Sequence, residues 1–530
     1  MALLPAAVGL LFRLGLMLAM LLNPALASLR PATFPADIRI ASISAGESGS
    51  APKEYLTVNG KPFFPIGVSY HFTRYKDSWD QDLQAMRDLG LNAVRIDIAW
   101  RDVSPLPWGY QFGDLDDFLD RAARHGLYVV LVFSHTTQDF NTPLWFWPLN
   151  SDWRVADERG RVPLSDTPSI DHPAYRHQLE EYVEATARHL KDHPAVLAYQ
   201  LLNEPRYDQT RLYDYSPYSV EMFRTWLKQK YGDVEHLNKT WDTSFTSTDD
   251  AQPPRGVPAE QSKPALARQW TDWRQFGYDN LADFVGELAH SAKKGDPGHP
   301  VIVSEMAWWW WGEQPFTGVS PLHIYRDADI VGYDLYPDGL TDSDYYLFTS
   351  DMLARYWGKP VWVMELNSKD GAPTGEVIRR FVSSALEGGA SGVFYFQWRD
   401  TKLDGGNYGI VDSKGVRKQQ YGGLATAIRW LKGQGQTMMA ASQPKPDLYL
   451  VWPSAEVAHT VGIGSPAWAL YSTARRIVDG GLRVGVVAEE LVHAVEPQKL
   501  LSLRDGRLQV GVGGPAPVLS TGRGFLFGDQ

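Results

Sequence analysis

Apolar positions along the chain fall into two alternating patterns. From about residue 55 to 435, short runs that are apolar almost throughout are followed by longer segments in which apolar residues recur every three or four positions. The short runs are Phe63–His71, Ala93–Trp100, Tyr128–Ser134, Val196–Glu204, Val301–Ala307, Ile330–Tyr336, Pro360–Asn367 and Gly392–Trp398. They lack strict alternation, as parallel strands covered on both faces do. The longer segments have helical period. Trp79, Leu83 and Met86 lead to Gly90, and Leu115, Phe118, Leu119 and Ala122 lead to Gly126; glycine suits a left-handed cap after a helix. Tyr175, Leu179, Tyr182, Val183 and Leu190 line a third helix, with Thr186 the polar member of that face. Val220, Phe223 and Leu227 line a fourth, and Trp273 to Leu288 a longer one; further helices fit 343–356, 374–387 and 420–432. Parallel neighbours require crossover connections. Eight strand–helix units predict an α/β fold, a (β/α)8 TIM barrel over 55–435. A doubly wound open sheet is the rival, which the count of eight disfavours.

Two stretches break the rhythm, 138–173 and 207–264. Both follow the C-termini of predicted strands, so both fall on the barrel face where sites are built. Residues 28–54 read as a lead-in and 436–446 as a linker. Residues 447–530 read as a small C-terminal α/β appendage, with strands at Asp447–Trp452 and Leu482–Ala488 and a helix at Trp468–Asp479. Gly462 and Gly464 lack the strand–turn–helix of a nucleotide loop and read as a turn. Residues 1–27 combine Arg13, an apolar run from Leu14 to Leu22, Pro24 and Ala25-Leu26-Ala27. That is the pattern of a secretory signal peptide, with a mature chain starting near Ser28. An uncleaved anchor is the alternative, although the run falls short of the ~20 apolar residues of a membrane span. Export to a periplasm or the exterior is expected, with no membrane contact after cleavage.

Composition narrows the chemistry. The 530 residues include 62 acids and 51 bases, a formal charge of −11, which argues against a binder of nucleic-acid phosphates. The absence of cysteine excludes disulfides, iron–sulfur clusters, thiolate-bound zinc and a cysteine nucleophile. The 20 Trp, 25 Tyr and 21 Phe call for a large core or for flat ligands, and sugar faces are such ligands.

Two carboxylic acids stand at predicted strand ends. Glu204, between Asn203 and Pro205, ends the fourth strand, and Glu365 ends the seventh. A carboxylate there is costly unless paired or hydrogen-bonded. Either acid alone fits a structural ion pair. Together at one barrel mouth they supply what glycoside hydrolysis requires: one protonates the leaving oxygen, the other attacks or activates water.

Asn203-Glu204-Pro205 with Glu365 resembles the clan A retaining glycoside hydrolases. Within that clan, Trp79–Trp100, Trp108–Leu119 and above all Phe223–Trp241 (FRTWLKQKYGDVEHLNKTW) resemble glycoside hydrolase family 42, the β-galactosidases. The resemblance covers about residues 55–430. It implies double displacement on terminal β-galactosides, with Glu204 as general acid/base and Glu365 as nucleophile. It further implies that Asn203 donates to the sugar 2-hydroxyl, that Arg95 and Tyr336 hold Glu365, and that Trp398 is a platform under the reactive sugar. From the residues alone, Arg95 also fits a rim salt bridge, and Tyr336 and Trp398 fit plain packing. Trp308 opens a run of four tryptophans that is either a stacking wall or a loop plug. His71 and His135 end the first and third strands, as hydroxyl binders or as structural histidines. His172 fits capping or turn chemistry before the third helix.

The chain departs from the family in two ways. Many members hold zinc through cysteines, and this chain has none, so neither metal nor cofactor is expected. A larger amidotransferase-like domain usually follows the barrel and helps to make trimers. Here Asp447–Ala488 resembles only its beginning, which leaves a homo-oligomer open. The partner implied is a β-galactoside oligosaccharide or polysaccharide side chain, and the two insertions lean toward exo action. The alternatives are another clan A β-glycosidase (β-mannosidase, β-xylosidase, β-glucosidase or endo-glucanase) and a non-catalytic sugar-binding barrel. A metal-dependent hydrolase would want a pair of histidines on the first strand, which Ser69-Tyr70-His71 does not supply.

Overall fold

The computed structural model describes residues 37–43, 53–133, 142–162, 167–207, 214–255, 264–307, 310, 318–337, 342–369, 371, 373–402, 405–440, 445–452, 466–504, 507–510 and 514–515. The expected signal segment, 1–27, lies outside them. Three strands, β1 (Ile38–Ile43), β2 (Lys53–Val58) and β3 (Lys61–Phe63), form an antiparallel sheet. Eight parallel strands then close a barrel in chain order: β4 (Ile66–Ser69), β5 (Ala93–Asp97), β6 (Tyr128–Val132), β7 (Val196–Asn203), β8 (Val301–Met306), β9 (Ile330–Leu335), β10 (Val361–Leu366) and β11 (Ala390–Tyr395), with β11 paired back onto β4.

Alternation along these strands separates two cores. Ala93, Val130, Ala198, Ile302, Trp362 and Met364 pack inside the barrel together with Ile38, Leu56 and Val58 of the antiparallel sheet. That sheet therefore plugs the end opposite the strand C-termini. Val94, Ile96, Val129 and Leu131 face outward and join the core under the helices. The helices include Trp79–Leu89, Gly113–Arg124, Pro173–Leu190, Pro264–Gly295, Asp344–Trp357, Gly375–Glu387 and Gln419–Ala440. Gly90 ends the first of these at φ +102°, a conformation that favours glycine.

Two boundaries differ from the sequence reading. The barrel begins at Ile66, because residues 53–63 are spent on the plugging sheet. The expected linker from 436 begins as the end of the helix Gln419–Ala440. Beyond it, β12 (Leu448–Trp452), β13 (Val484–Ala488), β14 (Leu500–Arg504), β15 (Arg507–Val510) and β16 (Gly514–Pro515) form a sheet in the order β13-β12-β14-β15-β16, with a helix at Pro466–Asp479. This unit is fused to the barrel's outer layer. Tyr471 stacks on Tyr345 with ring centroids 3.5 Å apart, and the Val486 amide donates to Asp351 Oδ2 at 2.9 Å.

The two insertions are stitched together at one buried acid. Asp214 accepts from the amides of Ala156 (3.0 Å) and Ser216 (2.8 Å) and from the Ser169 hydroxyl (2.5 Å). Among the described residues no helix is long and apolar enough to cross a membrane.

Candidate active site

Two breaks in strand register aim the key side chains. On β7, Ala198 and Gln200 point into the barrel while Tyr199 and Leu201 face the helices. Strict alternation would turn Asn203 outward. The pairing of β7 with β8 slips between Gln200 and Asn203, so that three residues on β7 span two on β8, and Asn203 turns in. On β10, Trp362 and Met364 are inside and Val363 outside, and a slip between Val363 and Glu365 brings Glu365 to the interior. Bulges beside active sites re-aim side chains in this way. Glu204, one residue past β7, has φ +46°, a left-handed conformation that costs a non-glycine residue about 1–3 kcal/mol. Its amide still donates to the Ser304 carbonyl at 3.1 Å, so the strained residue is held against β8.

Arg95 of β5 organises the floor of the mouth. It donates from Nη1 to Glu365 Oε1 at 2.7 Å and to Ser69 Oγ at 3.1 Å, from Nε to Gln200 Oε1 at 2.7 Å, and from Nη2 to Asn203 Oδ1. Tyr336 donates its hydroxyl to Glu365 Oε2. Both oxygens of Glu365 therefore take hydrogen bonds, one from a guanidinium and one from a phenol. With Asn203 Oδ1 committed to Arg95, its Nδ2 amide is the end that can donate to a ligand.

Glu204 sits in a different environment. Its carboxyl is pushed up to about 7, first by burial and then by the charge of Glu365. Arg206 donates to its Oε2 at 3.3 Å and pulls in the other direction. One carboxyl oxygen from each of Glu204, Glu365 and Asp334 lies within 4.8 Å of the others. That is close to the 5–5.5 Å between the carboxyls of retaining glycosidases. Three acids so close could also gather a cation, but Arg95 and Tyr336 already occupy both Glu365 oxygens.

Asp334 and Glu305 are carboxyls that sequence reading passed over. Asp334 of β9 is buried and accepts from Ser304 Oγ at 2.8 Å, and burial, with Glu365 and Glu204 nearby, pushes it well above the carboxylate range. Glu305 of β8 is pushed up by burial and accepts from the Met306 amide at 2.9 Å. The available signal was an acid inside an apolar strand, IVGYDLY and VIVSEMA, the same signal that exposed Glu365. Arg206 and Gln200 were missed as well, although both flank Asn203-Glu204 in sequence.

The wall of the mouth corrects one expectation. Trp398 is only 1% exposed and belongs to the core under the helices, against Tyr421. The strand β11 ends at Tyr395, and the half-buried Phe396 is the ring that faces the site, edge-on to His71, Tyr336 and Tyr408. We therefore expect Trp398→Ala to cost about 3–5 kcal/mol of stability in urea unfolding. Phe396→Ala should instead raise KM for small substrates. The reverse assignment would restore Trp398 as the platform. His71 faces Asp97, with Nδ1 3.3 Å from Oδ2, at the same rim. His135 and Trp308 lie outside the described residues. Trp310, from the same tryptophan run, is buried against Tyr325. His172 stacks on Trp153 at 4.2 Å and meets Tyr218 edge-on at 4.3 Å, a packing role.

Known proteins share this arrangement of elements. A family model described as β-galactosidase, glycoside hydrolase family 42, matches residues 69–432. β-Galactosidase LacZ of Heyndrickxia coagulans is 28% identical over 350 residues, 63% of this chain and 51% of that protein. β-Galactosidase Bga of Halorubrum lacusprofundi is 26% identical over 367 residues, 63% of this chain and 50% of that protein. The solved structure of the polyextremophilic β-galactosidase from the Antarctic haloarchaeon Halorubrum lacusprofundi matches with a TM-score of 0.69 at 23% identity, over 80% of this chain and 67% of that one. That likeness shows the fold. The chain spans about half the length of the curated relatives it matches. The match to the family runs from the end of the first barrel strand through the eighth and takes in both mouth glutamates: the chain belongs to glycoside hydrolase family 42.

Proposed function

We propose that this protein is a retaining, exo-acting glycosidase that removes terminal β-galactosyl units by double displacement. The observation that carries the reading is the contrast between two acids within 4.8 Å: Glu365 held by Arg95 and Tyr336, and Glu204 kept protonated toward neutral pH. Glu365 attacks the anomeric carbon while Glu204 gives its proton to the departing oxygen. Glu204, now ionised, then takes a proton from the water that releases the sugar from Glu365. Asn203 donates from Nδ2 to the 2-hydroxyl, a bond that tightens in the transition state. Arg95 and Tyr336 keep the nucleophile aimed, and the half-buried Phe396 offers its ring to the sugar. Neither acid needs a metal or cofactor for these steps.

Galactose as the preferred sugar comes from the family and from the named relatives. Exo action is supported by the two insertions tied together at Asp214 above the strand C-termini. The N-terminal segment supports export. A panel of aryl β-glycosides tests the reading. The galactoside should be cleaved with the highest kcat/KM, and the product should keep the β configuration before mutarotation when followed by NMR. A mannoside, xyloside or glucoside cleaved best would move the enzyme to another specificity of the clan. No cleavage of any of them would end the hydrolase reading.

A further inference from the structure

An acid/base in a retaining enzyme changes charge twice in each cycle. Glu204 must hold a proton while the leaving group departs and must be ionised when water attacks the glycosyl-enzyme. Its side chain is 14% exposed, and burial opposes the ionised form. A neighbour has to answer the charge when it appears.

Arg206 is placed to do so. Pro205 stands between the two residues, with its φ fixed by its ring. The Arg206 side chain is 8% exposed, and its Nη1 donates to Glu204 Oε2 at 3.3 Å. Glu204 Oε1 has no partner among the described residues, yet it is not among the sealed polar atoms, so it stays open to a ligand. An oxygen that accepts an N–H is not the one that carries the acid proton, which puts the proton on Oε1.

The other charged groups around Glu204 have other work. Glu365 opposes its ionisation, and Tyr336 is bonded to Glu365. Asp334 of β9 and Glu305 of β8 are pushed well above the carboxylate range by burial, so Glu204 is the acid beside Arg206 that changes charge in the cycle. Arg95 favours ionised Glu204 less than Arg206 does, and it donates to Glu365, Ser69, Gln200 and Asn203. Once Glu365 is esterified to the sugar, its charge is gone. What remains is burial, which keeps the proton on Glu204, against two guanidiniums, of which Arg206 is the one in contact.

We propose that Arg206 is a positioning residue for the acid/base: it anchors Oε2 so that Oε1 faces the glycosidic oxygen, and it holds the negative charge left on Glu204 when the proton departs. The inference deepens the retaining-hydrolase reading and rests on it. In the first step the glycosidic C–O bond breaks, its electrons go to the leaving oxygen, and that oxygen takes the proton from Oε1. In the second, water gives a proton to Oε1 while its oxygen displaces Glu365 from the anomeric carbon.

The test compares pH profiles of the wild type, Arg206→Gln and Arg206→Lys on two aryl β-galactosides, one with a poor and one with a good leaving group. With the poor leaving group, the alkaline limb of kcat/KM in Arg206→Gln should move up by about 1–3 pH units, because the acid form persists without the positive charge. With the good leaving group, kcat near neutrality should fall roughly tenfold or more, because a Glu204 that stays protonated takes no proton from water. KM should fall with it as glycosyl-enzyme accumulates. Arg206→Lys keeps the charge and should bring both profiles back toward the wild type. Should Arg206→Gln not fold, Arg206→Met, apolar and of similar reach, carries the same expectations. A merely structural role would lower kcat without moving the limb or lowering KM. Limbs that stay in place in a folded variant overturn the assignment and leave the hydrolase standing. So does an Arg206→Lys chain that behaves as Arg206→Gln does, since charge would then not be the agent. A wild type that cleaves no aryl glycoside overturns the hydrolase and the assignment with it.

Discussion

Glu365→Ala is expected to lower kcat/KM on aryl β-galactosides by roughly 10⁴–10⁶-fold, the scale on which a concerted catalytic unit loses its nucleophile. The geometry explains so large a loss. Glu365 reaches the mouth through a break in strand register, and Arg95 and Tyr336 hold both its oxygens. Neither neighbouring acid is placed to replace it: burial and the charges of Glu365 and Glu204 push Asp334 well above the carboxylate range, which disfavours its ionised form, and Glu204 is committed to the leaving oxygen. The truncation leaves a hole on the face from which Glu365 attacks. Azide should enter there and, with a good leaving group, form α-galactosyl azide, the inverted product. The substitution also unpairs a buried guanidinium, and breaking such a pair costs about 3–5 kcal/mol. Arg95 keeps its bonds to Gln200, Ser69 and Asn203, which places the loss at the low end of that range in thermal unfolding. Residual activity within tenfold of wild type in a folded Glu365→Ala chain would remove Glu365 as nucleophile.

Glu204→Ala should separate substrates by leaving group. Aryl galactosides with poor leaving groups need the proton and should slow by roughly 10²–10⁴-fold, the usual contribution of a general acid. Those with good leaving groups form the glycosyl-enzyme without it and should lose far less in kcat/KM. Azide should rescue turnover and give β-galactosyl azide, of retained configuration. The pH profile makes the same claim independently. Glu204 must be protonated to act as acid, and burial with the nearby Glu365 charge raises it to about 7. Hence kcat/KM of the wild type should fall as pH rises through about 7, and this limb should be missing in Glu204→Ala with a good leaving group. An alkaline limb that persists unchanged in the variant would assign it to another group.

Much of this site was legible in the chain because the cost of burial writes itself into sequence. A carboxyl at the end of an otherwise apolar strand stands out, and Glu204 and Glu365 were found by that contrast. Asp334 and Glu305 carry the same contrast but have no motif around them, and only their burial beside the pair gives them meaning. Trp398 was misplaced because a tryptophan near a strand end reads alike as core or as platform. Two residues decide the difference, since β11 stops at Tyr395 and Phe396 takes the facing position. The strand expected at Phe63–His71 absorbed part of the plugging sheet, because an apolar run does not reveal whether its partners are parallel or antiparallel.

The sequence by itself determined the alternation of strand and helix, and with it the barrel and the end at which its acids gather, because period and burial are local properties of a chain. Tertiary structure alone decided which way those acids point. Counting by twos from Gln200 or Met364 sends Asn203 and Glu365 outward, toward the helices. The slips in pairing between neighbouring strands turn them inward, and such slips exist only once eight strands must close on one another with their hydrogen bonds satisfied.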